Sequence, residues 1–380
     1  MNVSNLDIIS QKSIEKATKR AENIKDALVF DLNYTPERIY VRKEMEKIMD
    51  YLAEYIVLGI PQNIIVYGSR GSGKTVCIRA ALSTLLKKAD CNSFYVSVRE
   101  HSTSYKIYQE ISNEKRRGFS ISEIREMALK KITNKKTIIV LDEVDFLKDY
   151  DILYHLSRST KATLICLTQK TGWYKEINDE SIKSSMQPIH INFKEYNADE
   201  IYEILKLRVE DGLYNWDDAA LHMLAGLVVR DNNSDARVGI RACYVLGLLN
   251  DWSEKNIYEA IKIASKEVEE IVISGLKDRD LIILYALAIC NETNKAYTMA
   301  TKNISNIEGS TLSKKHFFRI LNYLQNIGLI SLIKKRCGRY YTLEVQFLLS
   351  DPTLIKGEIK RRLNFLVDRS SPSIELNNSL

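Results

Sequence analysis

Glycines, a lysine and a threonine stand at positions 68–75 in an arrangement suited to binding phosphate. The segment reads Gly68-Ser69-Arg70-Gly71-Ser72-Gly73-Lys74-Thr75 and fits the pattern G-x-x-x-x-G-K-[ST] without a mismatch. A β-rich apolar run at 63–67 precedes it and a helix-like run at 76–82 follows, which is the strand–loop–helix context that the motif requires. Backbone N–H groups of the loop and the helix N-terminus would face phosphate oxygens.

The roles within this loop follow from the side chains. Lys74 would reach the β- and γ-phosphates, and the Thr75 hydroxyl would ligate Mg²⁺. We expect nucleotide contacts from the whole segment and its first helical residue, namely Gly68, Ser69, Arg70, Gly71, Ser72, Gly73, Lys74, Thr75 and Val76. The alternative is a chance glycine turn before a helix, which the strict pattern and its flanks disfavour.

A second acidic motif follows a buried strand. The apolar run 137–141 ends in Asp142-Glu143-Val144-Asp145. A carboxylate at the end of such a strand, beside a phosphate loop, can hold Mg²⁺ through water, and the next one can activate the attacking water. We assign these roles to Asp142 and Glu143. A solvated acidic turn is the alternative.

Further apolar runs predict the fold that positions these motifs. Segments 93–98, 162–168 and 189–193 read as strands that alternate with helices. This alternation predicts an α/β domain with a parallel sheet covered on both faces. Near residue 196 the pattern changes to helices only, and Asn197 is placed to cap a helix over 198–209.

The last segment predicts a winged helix. A helix over 278–291, a turn-rich stretch over 305–311 and a helix over 313–326 are followed by strands at 329–333 and 340–345. The basic run 334–339 would form the hairpin tip between them. We expect the helix to enter a DNA major groove and the hairpin to contact backbone or minor groove. The predicted DNA contacts are Lys314, Lys315, His316, Arg319, Lys334, Lys335, Arg336, Arg339 and Tyr340. A charged edge that blocks aggregation, or a protein-binding surface, is the alternative.

Composition narrows the class of protein. The chain has 380 residues, 45% of them hydrophobic, and a net charge of +6, which permits a nucleic-acid partner without requiring one. The six cysteines are scattered without a C-x-x-C pair, which disfavours zinc. The longest apolar run, 281–290, is too short to span a bilayer. We expect a soluble protein of the cytoplasm with no membrane partner.

Taken together, these residues resemble the archaeal origin-recognition initiators, relatives of the eukaryotic origin recognition complex and cell-division-control loader. That family consists of AAA+ ATPases with a C-terminal winged helix. Besides the two nucleotide motifs, Tyr34-x-Pro36-x-Arg38 with Arg42 resembles the family's base-binding box, 196–200 resembles its entry into the lid, and Asp235-Ala236-Arg237 resembles its second sensor. The resemblance covers roughly residues 25 to 350.

The resemblance implies a domain plan and further site residues. It implies an N-terminal basic helix or arm (1–29), an AAA+ base domain (30–196), an all-α lid (197–270) and a winged-helix DNA-binding domain with a C-terminal tail (271–380). Tyr34, Pro36, Arg38 and Arg42 would contact the base, and Arg237 would reach the phosphates from the lid. Basic residues in an insert would lie near the family's initiator-specific DNA element: Lys115, Arg116 and Arg117.

The implied function is an ATP-dependent replication initiator that binds double-stranded origin DNA. ATP or ADP with Mg²⁺ would be the cofactor, and Lys74, Glu143 and Arg237 the catalytic residues of a weak ATPase. The implied partners are a paralogous initiator subunit on the same DNA and, as a further candidate, the replicative helicase. We expect the protein at the nucleoid. The alternatives are a transcription regulator of the same architecture and a signalling ATPase whose winged helix binds protein.

Three positions depart from the family pattern. Thr168-Gln169 stands where the first sensor is normally Ser-Asn, Ser181 stands in the place of an arginine before Ser184-Ser185, and Ser234 replaces a common glycine. These departures imply a divergent paralogue with slow hydrolysis, in which nucleotide acts mainly as a conformational switch.

Overall fold

The chain forms two compact units, residues 1–254 and residues 255–380. The structure is a computed structural model that describes residues 3–114, 116, 118–159, 161–290, 292–337, 340–349 and 351–367. No helix in this described part is long and apolar enough to cross a membrane.

A five-stranded parallel sheet lies at the centre of the first unit, which confirms the predicted α/β class. Its strands are β1 (Ile64–Gly68), β2 (Asn92–Ser97), β3 (Thr137–Asp142), β4 (Thr163–Thr168) and β5 (Ile189–Phe193). Their order across the sheet is β2-β3-β4-β1-β5. All strands are parallel, so the segments that follow β1, β3 and β4 emerge at one edge of the sheet. This edge brings the glycine loop and the acidic motif together.

Helices cover both faces of the sheet, which is why its strands are apolar at consecutive positions. Ile64 and Val66 pack with helices on one face, and Ile65 packs with helices on the other. The helices of this part are α1 (Val3–Arg20), α2 (Lys43–Leu58), α3 (Lys74–Leu86), α4 (Ser104–Ser112), α5 (Ile121–Thr133), α6 (Asp151–Ser159) and α7 (Glu180–Met186).

The chain after β5 is helical, as the sequence predicts. It forms α8 (Ala198–Gly212), α9 (Asp218–Asp231) and α10 (Ala236–Leu249). The Asn197 side chain caps α8, and the Glu200 side chain completes the capping box.

The segment that precedes α2 packs on these later helices. Asn23 and Asn215 exchange two hydrogen bonds of 2.8 Å. Phe30, at the end of a short 3₁₀ helix, packs so closely on α8 that a Cβ at Gly212 would lie 2.4 Å from its ring. The segment between α1 and α2 therefore packs against α8.

The second unit has the winged-helix plan that the sequence predicts. Its elements are α11 (Glu254–Ser274), α12 (Asp278–Cys290), α13 (Thr293–Glu308), α14 (Lys314–Asn326), β6 (Ile330–Cys337), β7 (Tyr340–Phe347) and α15 (Thr353–Val367). Strands β6 and β7 pair antiparallel as a hairpin directly after α14. Its core includes Leu284 of α12, Ala300 of α13 and Leu321 of α14, all fully buried.

Two local predictions in this unit are wrong. Residues 305–308 were expected in a turn but belong to α13, which ends where Gly309 adopts a left-handed conformation (φ 64°). Lys334, Lys335 and Arg336 were expected at the hairpin tip but lie within β6. A strand ladder uses backbone groups only, so charged side chains do not end it. Arg339 lies outside the described residues.

Tyr55 of α2 provides a test of how the sheet is held. Its hydroxyl accepts a hydrogen bond from Thr137 N (2.8 Å) and donates one to Lys161 O (2.8 Å), at the starts of β3 and β4. Tyr55→Phe removes the partner of the buried Thr137 N–H and of the Lys161 carbonyl. We expect the free energy of unfolding to fall by about 1–3 kcal/mol, measured by urea denaturation. Tyr214→Phe, 62% exposed, is the matched control and should change nothing.

Candidate nucleotide site

The phosphate loop connects β1 to α3 and is shaped by two glycines. Gly71 (φ 77°) and Gly73 (φ 83°) adopt left-handed conformations that favour glycine. A Cβ at Gly71 would lie 2.4 Å from Asp235 Oδ1, and one at Gly73 would lie 2.0 Å from Tyr196 Oη. Both glycines therefore allow the loop to turn. They also leave room for Asp235 and Tyr196, which follow the last strand of the sheet, to approach the loop closely.

The Lys74 amine lies inside the loop. Its Nζ donates to Gly68 O (2.8 Å) and Ser69 O (2.9 Å). Ser72 Oγ donates to Ser69 O (2.8 Å) and tightens the same turn. Burial lowers the pKa of Lys74 to about 8, although the charges of Asp142 and Asp145 act against this shift. An anion bound in the loop would favour the charged amine.

Arg42 braces the loop from behind. Its two terminal nitrogens donate to Ser72 O (3.0 Å) and Lys194 O (2.9 Å), and the guanidinium stacks 4.3 Å from the centre of the Tyr196 ring. The residue is only 4% exposed. Arg42 thus connects the phosphate loop to the chain that leaves β5.

The other residues of the predicted base-binding box contact α8. The Tyr34 ring lies under the Arg208 guanidinium at 5.5 Å, and Arg38 pairs with Glu210 (3.1 Å) and Asp211. Pro36 is buried. The structure therefore places Tyr34 and Arg38 against α8, and Arg42 against the loop.

Thr75 and Asp142 form an oxygen pair that suits Mg²⁺. Thr75 Oγ1 donates to Asp142 Oδ2 (3.0 Å). Among the described residues no group of three or more His, Cys, Asp or Glu could hold a metal by itself. Magnesium often binds through one or two protein oxygens and completes its shell with water and nucleotide phosphates. The pair fits an ion of that kind, held together with a nucleotide.

Tyr95 and the Glu143 backbone also bind the Asp142 carboxylate. The Tyr95 hydroxyl donates to Asp142 Oδ2, and Glu143 N donates to Oδ1 (2.9 Å). The Tyr95 ring in turn stacks on the Arg79 guanidinium at 4.5 Å. These contacts fix the orientation of the carboxylate before any metal binds.

Glu143 follows β3 in a left-handed conformation (φ 55°), which is uncommon for a residue other than glycine. Burial raises the pKa of its carboxyl, and Arg99 opposes the shift. Arg99 Nε lies 3.7 Å from Glu143 Oε2. The carboxylate at the position of a general base is therefore held in an ion pair.

The end of β4 is organised by Asp145. Its carboxylate accepts hydrogen bonds from Thr168 Oγ1 (2.7 Å) and Gln169 N (3.0 Å). The Gln169 amide oxygen is buried and has no partner among the described residues. Gln169, at the position expected for the first sensor, thus has a longer amide side chain than the expected asparagine. The Asp145 carboxylate holds its backbone in place.

Arg237 approaches the loop from α10. Its Nε donates to Asp235 Oδ1 (2.8 Å), and Asp235 caps the N-terminus of α10. Burial works to raise the pKa of Asp235, but the positive charges of Arg237 and Arg70 outweigh it and lower this pKa. Burial and the charge of Arg237 lower the pKa of Arg70 to about 9. One carboxylate therefore lies among two guanidinium groups beside Gly71.

The structure adds residues that sequence reasoning did not assign to the site. Tyr95, Arg99 and Tyr196 contact its functional groups. The strand pairing of Ser97 with Asp142 places the end of β2 beside the acidic motif, and this register brings Tyr95 to the site.

The predicted DNA residues are distributed over both units. Lys314, Lys315 and Arg319 are exposed on α14, whereas His316 is half-buried and its pKa is lowered by burial and by Arg319 and Arg279. Arg116 pairs with Glu114 (2.9 Å) in the first unit. Lys115 and Arg117 lie outside the described residues.

Comparisons with known proteins identify the family. A profile of the AAA domain matches residues 61–169. The chain is 30% identical over 361 residues to an ORC1-type DNA replication protein 1 of Sulfurisphaera tokodaii, covering 86% of this chain and 90% of the relative. The chain belongs to the ORC1-type DNA replication proteins. A second ORC1-type protein, from Methanothermobacter thermautotrophicus, is 28% identical and is covered to 99%.

A solved structure shares the fold. The Aeropyrum pernix ORC1 protein, determined in complex with DNA, superimposes with a TM-score of 0.72 at 22% identity, covering 91% of this chain and 98% of that one. The AAA domain and the family membership place the chain among the P-loop ATPases. The resemblance drawn from the sequence motifs is confirmed.

The Tyr95 contact gives a test of the metal position. Tyr95→Phe removes a hydrogen bond to Asp142 while keeping the ring that stacks on Arg79. Loss of such an outer contact typically weakens metal binding by about 10- to 100-fold. We expect the Mg²⁺ concentration that half-saturates ATP binding to rise by about tenfold, measured with a fluorescent ATP analogue. An unchanged Mg²⁺ requirement would contradict this role.

The matched control is Tyr67→Phe. Tyr67 is a tyrosine of β1 that packs edge-on against His190. This variant should keep the wild-type Mg²⁺ requirement, and both variants should bind ATP equally well at saturating Mg²⁺.

Proposed function

We propose that this protein is an ATP-dependent replication initiator that binds double-stranded origin DNA through its winged helix. The proposal rests on the presence of two features in one ORC1-type chain. A phosphate loop with its acidic partner motif occupies the first unit, and a winged helix with a basic helix face occupies the second. The solved DNA complex of Aeropyrum pernix ORC1 supports the choice of ligand.

The exposed face of α14 suits a DNA duplex. Phe317, Ile320 and Leu321 point into the core of the second unit, so Lys314, Lys315 and Arg319 face solvent. Lysine and arginine bind phosphates by charge, and arginine also recognises guanine edges. Lys334 on β6 is exposed as well. We place Lys335, Arg336, Arg339 and Tyr340 of the hairpin, and the 115–117 insert, in the same role on sequence grounds.

ATP or ADP with Mg²⁺ is the proposed cofactor. Lys74 and the loop amides would hold its phosphates, and Thr75 and Asp142 would hold the metal, which neutralises charge on the phosphates when bound. Tyr34 and Arg38 lie against α8, and the base would bind beside these two residues and Pro36. Glu143 would orient the attacking water.

Arg237 would act as the switch. It now pairs with Asp235 at the N-terminus of α10. A nucleotide phosphate would compete with the Asp235 carboxylate for Arg237 and Arg70, and α10 would move with the new pairing. The bound nucleotide would in this way control DNA binding.

Slow hydrolysis is part of the proposal. Glu143 is held by Arg99, and Gln169 replaces the usual sensor asparagine. The basic residue nearest to Ser181 in the sequence is Lys183, which pairs with Glu180 (3.0 Å). We therefore propose that a paralogous initiator subunit acts with this protein on the same DNA at the nucleoid, and the replicative helicase is a further candidate partner. The names of the relatives favour replication over transcription or signalling.

Two variants test ATP binding and ATP hydrolysis separately. Lys74→Ala removes the amine that would neutralise the phosphates, so ATP retention on a filter should be lost. Glu143→Gln keeps the shape of the side chain but removes the base, so ATP binding should persist while single-turnover hydrolysis falls by about 100-fold or more. Rapid hydrolysis by the wild-type monomer would contradict the switch proposal.

The salt dependence of DNA binding tests the basic face. Each phosphate contact contributes about 0.9 to the slope of log K against log salt concentration. Lys315→Ala should therefore weaken binding to all duplexes alike and reduce the slope by about one. Lys88→Ala, an exposed lysine just beyond α3, is the charge-matched control and should keep the wild-type slope. If no duplex binds at low salt, the proposed function is wrong.

A further inference from the structure

Helix α14 exposes an aromatic ring in the middle of its basic face. Phe318 is 41% exposed, and it is the one exposed phenylalanine among those whose side chains the structure describes. It lies three residues after Lys315, one before Arg319 and four before Asn322, and all four are exposed. This spacing places them on one helix face.

The ring is held in a defined orientation. Phe318 packs edge-on against Phe317, with ring centroids 5.8 Å apart and an interplanar angle of 79°. Phe317 is 1% exposed and packs edge-on against Tyr297 of α13 at 5.2 Å. The Phe318 ring therefore packs on a buried aromatic neighbour, Phe317, and its uncovered side faces solvent.

The chemistry around Phe318 points to DNA as the occupant of this face. Lys315 and Arg319 carry positive charge on either side of the ring, which would disfavour an apolar protein surface and favour a polyanion. The major groove of DNA presents a single apolar group, the C5-methyl of thymine, and phenylalanine is one of the side chains that contact it. An exposed ring between two phosphate-binding cations is suited to that methyl group.

We propose that Phe318 is a specificity-determining residue that reads a thymine methyl group in the major groove. This proposal rests on the proposed function, because it assigns sequence preference to the same DNA-binding face. Phosphate contacts of the cations would give binding without sequence preference, and Phe318 would select thymine at one position of the site. Asn322, one helical turn further on, has the amide that recognises adenine and would read a neighbouring position.

The experiment begins with selection of bound duplexes from a random library by the full-length chain. We expect an enriched motif that contains a thymine at a fixed position. Replacing that thymine by deoxyuridine removes the methyl group alone. We expect binding of the wild-type protein to weaken by about fourfold, the transfer of one methyl group out of water.

Two variants assign the effect to Phe318. Phe318→Ala should bind thymine and deoxyuridine duplexes equally, at the lower affinity of the wild type for deoxyuridine DNA. Phe318→Leu keeps an apolar side chain and should retain part of the preference. The side chain is exposed, so thermal unfolding of both variants should match that of the wild type.

The other outcomes are distinct from one another. If Phe318→Ala weakens binding equally to thymine and deoxyuridine duplexes, the ring stacks on bases and the methyl proposal is wrong. If Phe318→Ala leaves DNA binding unchanged, the face serves a protein and the proposal is also wrong. Salt-dependent binding without any enriched motif overturns the role of Phe318 but leaves the proposed function intact. Absence of binding to every duplex overturns the proposed function itself.

Discussion

The contact between Asp235 and the phosphate loop exists because Gly71 has no side chain. Any Cβ at that position would overlap the carboxylate, so the turn of the loop and the docking of α10 depend on the same residue. The helix N-terminus, its capping carboxylate and the Arg237 guanidinium are all brought to the loop by this approach. The helical segment after the sheet is thereby brought into close contact with the nucleotide site at Gly71, in addition to the contact of Tyr196 with Gly73.

That contact also sets the charge balance of the site. Two guanidinium groups, Arg70 and Arg237, act on the partly buried carboxylate of Asp235, and burial disfavours the charged form of Arg70. A phosphate that entered the loop would add negative charge to that which Asp235 and Glu143 now supply to Arg70. The two guanidinium groups could then pair either with Asp235 or with a phosphate. Two alternative pairings are the physical requirement for a switch. Arg42 holds the same loop by a hydrogen bond to Ser72 O, and it does not contact Asp235 in any of its hydrogen bonds to the loop and to Lys194.

The sequence predicted those parts of the site whose geometry is local. Residues 68–75 and 142–145 are short segments in which backbone turn and side-chain chemistry are set by neighbours in the chain, and the apolar runs defined the sheet. Arg42 and Tyr95 could not be placed in the same way, because their partners at Lys194 and Asp142 are brought near by the fold. The sequence misplaces the hairpin tip because a run of charged residues suggests a turn, whereas backbone pairing decides where a strand ends.

The adjacent residues Phe317 and Phe318 show that residue type alone does not predict which side chain is buried. They are identical in chemistry, yet one is part of the core and the other is exposed. The phase of α14 decides between them, since the buried positions 317, 320, 321 and 324 fall on one face at helical spacing. Once that phase is known, the basic residues and the exposed ring fall together on the opposite face. A cationic surface alone attracts any duplex, so discrimination between sequences requires contacts with base edges, which an exposed ring or amide among the cations can make as well as an arginine.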